Sequence, residues 1–236
     1  MKNKKIKEVL TEIKKENKPE KKESKARFKI KRSHAVFGLL LLVLFGGGAY
    51  WKYQKNLSLK KQVQPTDIVE QYRSQLKDLK EKSKSNNATD LQNYAVALYV
   101  TGNLNEAEGT YKKQLSVDED NWVAKNNLAN VLRDEKKFDE AIDYYEQAIK
   151  LSPKSVNTYI NLGSIYQYSL NDMDKALEVY MRGIKANPES ADLPVVAALA
   201  HEQSGNKEKA RENFEKALEI QENNQAAKAG LERIGN

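Results

Sequence analysis

Few residues of this chain could do chemistry, and they stand apart. Histidine occurs at His34 and His201 only, and neither has a second ligand at metal-binding spacing. With no cysteine, thiolate nucleophiles, thiolate metal sites and disulfides are excluded. Gly46-Gly47-Gly48 lacks the Lys that a phosphate-binding loop places after its glycines, and no G-x-S-x-G or H-E-x-x-H run occurs. Asp139–Glu140 suits a helix start, where carboxylates meet the positive end of the dipole. Asp118, Glu119 and Asp120 lack the Gly and the further oxygens of a calcium loop. No catalytic set, cofactor or metal is expected, and the chain reads as a non-enzyme.

The remaining chemistry is that of the carboxamide, which offers two donors and an acceptor. Asn93, Asn127 and Asn161 recur every 34 residues; Asn130 and Ser164 follow a turn later, with Arg133, Gln167 and Tyr168 nearby. A row of such groups can pair with the main chain of an extended peptide. The same amides could instead satisfy neighbouring backbone, so a structural role stays open.

Elements able to carry that row are helical. From about residue 88 the chain repeats with a period near 34. Ala107, Ala141, Ala176 and Ala210 are each followed four residues later by an aromatic: Tyr111, Tyr145, Tyr180, Phe214. Three further on stand Gln114, Ala148, Gly183 and Ala217, and Pro153 and Pro188 close two of the units. Leu128–Ala129 and Leu162–Gly163 form the packing pair of the preceding helix. A small residue lets antiparallel helices approach, the aromatic fills the neighbouring hole, and proline stops the unit. No hairpin of this kind buries its face alone, so hairpins stack.

This pattern resembles the tetratricopeptide repeat family over residues 88–224, as four repeats: 88–121, 122–155, 156–190 and 191–224. The first departs at Gln114 and Glu119, the third has one extra residue in YSLNDMD, and the fourth has Pro194 early and Glu222 late. The resemblance implies an all-α, right-handed solenoid of helical hairpins whose first helices line a groove, with 225–236 as a capping helix. Asn93, Asn127 and Asn161 are then groove-facing, one per repeat, and the fourth repeat turns apolar at Val196 and Leu199. A clamp for chaperone carboxylate tails, which uses Lys and Arg in the third repeat, is disfavoured by Asn157 and Asn161.

Ahead of the repeats the composition changes. Residues 1–33 hold 14 Lys/Arg against 5 Asp/Glu, and residues 86–236 hold 17 against 24. The basic balance belongs to the N-terminal third, and the acidic remainder argues against nucleic-acid binding. Residues 35–50, AVFGLLLLVLFGGGAY, carry no charge. As a helix they reach about 24 Å of a roughly 30 Å hydrocarbon core, and Trp51, Tyr53 and flanking Lys/Arg extend the span. Residues 15–34 hold nine Lys/Arg and residues 51–70 four, which orients the N-terminus to the cytoplasm and the repeats outside. Cleavage after Ala49 is the alternative to an anchor.

The expected order is therefore a basic cytoplasmic tail 1–33, a single-pass span 34–51, a polar spacer 52–66, a leading helix 67–85, the repeats, and the cap. Ile6, Val9, Leu10 and Ile13 could form one stripe of a tail helix against anionic lipid, or the tail could be solvated. The expected partners are proteins or extended peptides bound to a membrane-anchored scaffold for envelope or secretion assembly, with no nucleic acid and no small-molecule substrate. Two further readings are a holdase for exported chains and attachment to an anionic wall through Lys52, Lys55, Lys60 and Lys61.

Overall fold

The structure is a computed structural model that describes residues 65–235. The basic tail, the expected span 34–51 and most of the spacer lie outside the described residues. Among the described residues no helix is long and apolar enough to cross a membrane.

Among these residues there are ten α-helices and no strand. They are α1 Pro65–Ser83, α2 Ala88–Val100, α3 Leu104–Val117, α4 Trp122–Asp134, α5 Phe138–Leu151, α6 Val156–Ser164, α7 Met173–Ala186, α8 Asp192–Gln203, α9 Lys207–Ile220 and α10 Gln225–Ile234. They fall into two compact units divided between Val179 and Tyr180, within α7. The leading helix begins two residues earlier than the sequence suggests, with Pro65 in its first turn, where a missing N–H costs nothing. Glu70 pairs with Arg73 one turn on.

In the first unit, α1 packs on α2, and each later helix packs on the one before it through α6. Short turns make these neighbours antiparallel. The turn from α2 to α3 and the turn from α4 to α5 share one design. A residue at positive φ, Gly102 at 83° or Lys136 at 64°, reverses the chain. The next N–H then returns five residues: Asn103 to Leu98 O at 2.8 Å and Lys137 to Leu132 O at 2.8 Å. Asn87 and Asn121 cap α2 and α4 through their side-chain oxygens. Ala107, Tyr111, Ala141 and Tyr145 are all buried, as the spacing of small and aromatic residues requires.

The third hairpin departs from this design. After Ser164 the helix widens into a π-turn over Ile165–Ser169, where Leu170 N–H reaches Ile165 O at 3.0 Å. This wider winding takes up the extra residue of YSLNDMD. Asn171, at φ 53°, then reverses the chain.

The second unit is built from α8, α9 and α10, each packed on the other two. Gly205, at φ 76°, turns α8 into α9, and Asn224 caps α10 by accepting from Ala227 N–H at 3.0 Å. Its core joins Val195, Ala198, Ala210, Phe214, Leu218, Ala227, Leu231 and Ile234. Pro194 sits buried in the first turns of α8, before an interior N–H is needed.

Candidate functional site

The three asparagines of the 34-residue row differ in surroundings. Asn93 is exposed, Asn127 half-buried, and Asn161 only 2% exposed. The cause lies in the preceding hairpin. The large aromatic of a second helix stands sixteen residues before this position in the next first helix: Tyr111 before Asn127, Tyr145 before Asn161. Asn127 hydrogen-bonds the Tyr111 hydroxyl. Tyr145 donates its hydroxyl to Asn130 Oδ1 at 2.5 Å, and Asn161 Nδ2 donates to the same oxygen at 3.2 Å. Sixteen residues before Asn93 stands Lys77, exposed on α1, in place of an aromatic.

The three amides of the row therefore differ in access: Asn93 and Asn127 reach solvent and Asn161 is buried. Asn130 and Asn161 are buried between hairpins, where an unmet amide would cost about 1–3 kcal/mol, and they satisfy each other and Tyr145. Gln167 is likewise buried. Ser164 is half-buried and donates its hydroxyl to Asn161 O at 2.7 Å. Tyr168 is the opposite case, 63% exposed at the end of the π-turn. Burial of the phenol pushes the Tyr111 and Tyr145 pKa values up; the Asn127 hydrogen bond on Tyr111 and the nearby Arg133 charge on Tyr145 oppose that in part.

Arg133 lies among acceptors. Its Nε donates to Asp134 Oδ1 at 2.9 Å, and Nη2 reaches the Tyr99 hydroxyl at 3.4 Å. Tyr99 in turn donates to Asp134 Oδ2 at 2.6 Å. Burial works against the Arg133 charge, but the oxygens of Tyr145, Asp134 and Tyr99 outweigh it and hold its pKa up. This cation is internally neutralised. Sequence reasoning missed Tyr99 and Asp134, although Tyr99 lies one period before Arg133 and shifting the repeat onto itself finds it.

The reach of Gln114 was also missed. Gln114, fully buried where other repeats place Ala or Gly, donates through Nε2 to Gln92 Oε1 at 3.2 Å. That bond holds the carbonyl end of Gln92, which sits half-exposed beside Asn93 on α2. The accessible uncharged polar groups on α2, α4 and α6 include Gln92, Asn93, Asn126, Asn127, Asn157 and Ser164, with Tyr168 on the π-turn that follows; the carboxylates of Asp90 and Asp134 are accessible beside them. No group of three or more acidic or His side chains among the described residues could hold a metal ion.

Comparison with known proteins agrees with this architecture. The tetratricopeptide repeat family matches residues 122–189 and 196–224. The BBSome complex member BBS4 of Bos taurus is 30% identical over 56% of this chain and 25% of its own length. Photosystem I assembly protein Ycf3 of Acaryochloris marina is 29% identical over 41% of this chain and 60% of its own. The chain spans about a quarter of the length of BBS4 and of less than two thirds of Ycf3. Among solved structures, MamA protein superposes with a TM-score of 0.54 at 27% identity, covering 67% of this chain and 90% of that one. The chain carries tetratricopeptide repeats, arranged as all-α hairpins of the kind that serves protein–protein interaction.

Proposed function

We propose that this carrier of tetratricopeptide repeats is a membrane-tethered scaffold. In this reading the apolar segment 35–50 anchors the chain, the basic tail stays in the cytoplasm, and the repeats face outward. There they hold a partner of an envelope or secretion assembly by an extended segment laid along α2, α4 and α6. The observation that carries the docking role is the surface of those three helices. Its accessible groups are chiefly amides and hydroxyls, with the carboxylates of Asp90 and Asp134 beside them, and Arg133 is already paired with Asp134. Such a surface grips peptide main chain without demanding a charge. The names of BBS4, a complex member, and Ycf3, an assembly protein, are in keeping with a role in assembly.

The tether is supported by residues 35–50 and by the excess of Lys/Arg on their N-terminal side. Protease treatment of intact cells tests it, with an antibody to the α8–α10 region. Loss of the repeats with survival of a small membrane-bound fragment is the expected outcome. Full protection places the repeats inside and ends the outward-facing reading. For the docking role, crosslinking in intact cells followed by purification should retain exported or membrane proteins. An Asn93→Ala/Asn157→Ala chain, altered only at exposed amides, should retain at least severalfold less.

A further inference from the structure

Gln114 is a large polar side chain at a position built for a small one. The residue three places after the aromatic is Ala148, Gly183 or Ala217 in the other repeats, and each of these is buried. Gln114 is fully buried as well. We propose that Gln114 is a positioning residue: it turns Gln92 so that the NH2 group, and not the oxygen, faces a docked segment and takes a main-chain carbonyl from it. This rests on the docking reading above.

Stability gives no account of Gln114. An alanine there would leave nothing unpaired, whereas Gln114 Oε1 is buried with no hydrogen-bond partner among the described residues. A buried polar atom without a partner costs free energy. The other end of the amide is used: Nε2 donates to Gln92 Oε1 at 3.2 Å, from α3 across to α2. That bond acts on a side chain that reaches the surface, since Gln92 is half-exposed beside the exposed Asn93. With its oxygen held inward, the free end of Gln92 is its pair of N–H donors. Further along the same face, amide oxygens are also turned inward. Asn127 Oδ1 accepts from Asn126 Nδ2 at 3.2 Å, and Asn130 Oδ1 accepts from Tyr145 and Asn161. A face whose amide oxygens are taken asks its partner for acceptors, and the acceptor that every residue of an extended chain supplies is its carbonyl. A side chain fixed in advance also loses less freedom on binding, which raises affinity.

The full chain, carrying nitrogen-15 in its glutamine side chains and kept in detergent, is titrated with two end-blocked twelve-residue Ser/Ala/Asn probes. One is an ordinary peptide. In the other, alternate peptide bonds are esters, which keep the carbonyl and lose the N–H. The NH2 signal of Gln92, recognised by its loss in Gln92→Met, should shift with both probes, with Kd values within about threefold of each other. Gln114→Met keeps the bulk of the side chain and removes the amide. It should leave the urea midpoint unchanged or higher and weaken the ordinary peptide about fivefold. In the Gln92→Met background the same change should weaken it no further. Failure of the ester probe alone shows that the partner's N–H groups are what is read, and overturns the proposal with main-chain docking left standing. A Gln114→Met chain that is less stable and binds as before makes Gln114 a packing residue, and a fivefold loss repeated in the Gln92→Met background means that it does not act through Gln92; either overturns the proposal and spares docking. No shift of any signal by either probe at millimolar concentration removes the docking reading and the proposal with it.

Discussion

The packing of α4 and α6 onto the hairpins before them, and of α10 onto α9, solves one steric problem in two ways. In the first unit the aromatic is tyrosine and the residue sixteen places on is asparagine, so a hydroxyl and an amide meet. In the second unit the aromatic is Phe214 and the residue sixteen places on is Gly230. A Cβ added at Gly230 would lie 2.3 Å from Phe214 Cζ, so the ring takes the space of the missing side chain. Where a polar group is available the seam is closed by a hydrogen bond; where it is not, by a ring against bare backbone. The first solution is directional and modest in energy, and the second depends wholly on shape.

Substitutions at these positions separate the two solutions. Phe214→Ala should cost the most, about 4 kcal/mol, as loss of a fully buried ring. Gly230→Ala should cost about 3 kcal/mol through overpacking. Combined with Phe214→Ala it should cost almost nothing further; urea denaturation of the four chains measures the cycle, and additive losses would show that ring and glycine do not share one space. Tyr145→Phe keeps the ring and removes the hydroxyl, leaving Asn130 with only the Asn161 bond, and should cost about 1 kcal/mol. If it costs as much as Gly230→Ala, the seams do not differ in kind.

Smaller effects fall in the turns. Lys136 holds φ 64° where the corresponding turns have Gly102 and Gly205, so Lys136→Gly should stabilise by about 0.5–1 kcal/mol, seen as a higher urea midpoint. The smallest effect is electrostatic. Lys112 and then Lys137, at 2.5 and 2.7 Å, hold the Glu108 carboxyl down at about 2. Its folded pKa lies below the unfolded value of about 4.3, so its stabilisation is complete above that value and is lost as pH falls towards 2. Lys137→Gln should flatten the decline in urea midpoint between pH 5 and pH 3 slightly, because both lysines are partly solvated.

Much of the fold was legible because it depends on local spacing. Ala107–Tyr111 and Ala141–Tyr145 announce close-packed hairpins through a small residue and an aromatic one turn apart, and both pairs are buried. The helical hairpins follow from that spacing. The exposure of the asparagines was not legible, since it depends on the residue sixteen places earlier rather than on the asparagine itself. Period alone made Asn93 and Asn161 equivalent, yet Lys77 leaves one open while Tyr145, through Asn130, helps close over the other. The extra residue near YSLNDMD could be counted, but its placement could not: it enters the winding of α6 instead of lengthening the turn. Gln114 stood out as a departure from the small-residue rule without revealing that it reaches Gln92.

The π-turn at Ile165–Ser169 has a consequence for how the gene can change. A one-codon insertion in a regular helix rotates every later side chain by about 100° and would scramble the hairpin. Here a single wide turn absorbs the extra residue, and Ala176 and Tyr180 are buried as their counterparts are. This stretch therefore works as a shock absorber for chain length. Removing that one residue would return the turn to regular winding with Ala176 and Tyr180 still in phase, so a change of one in chain length here leaves the scaffold standing.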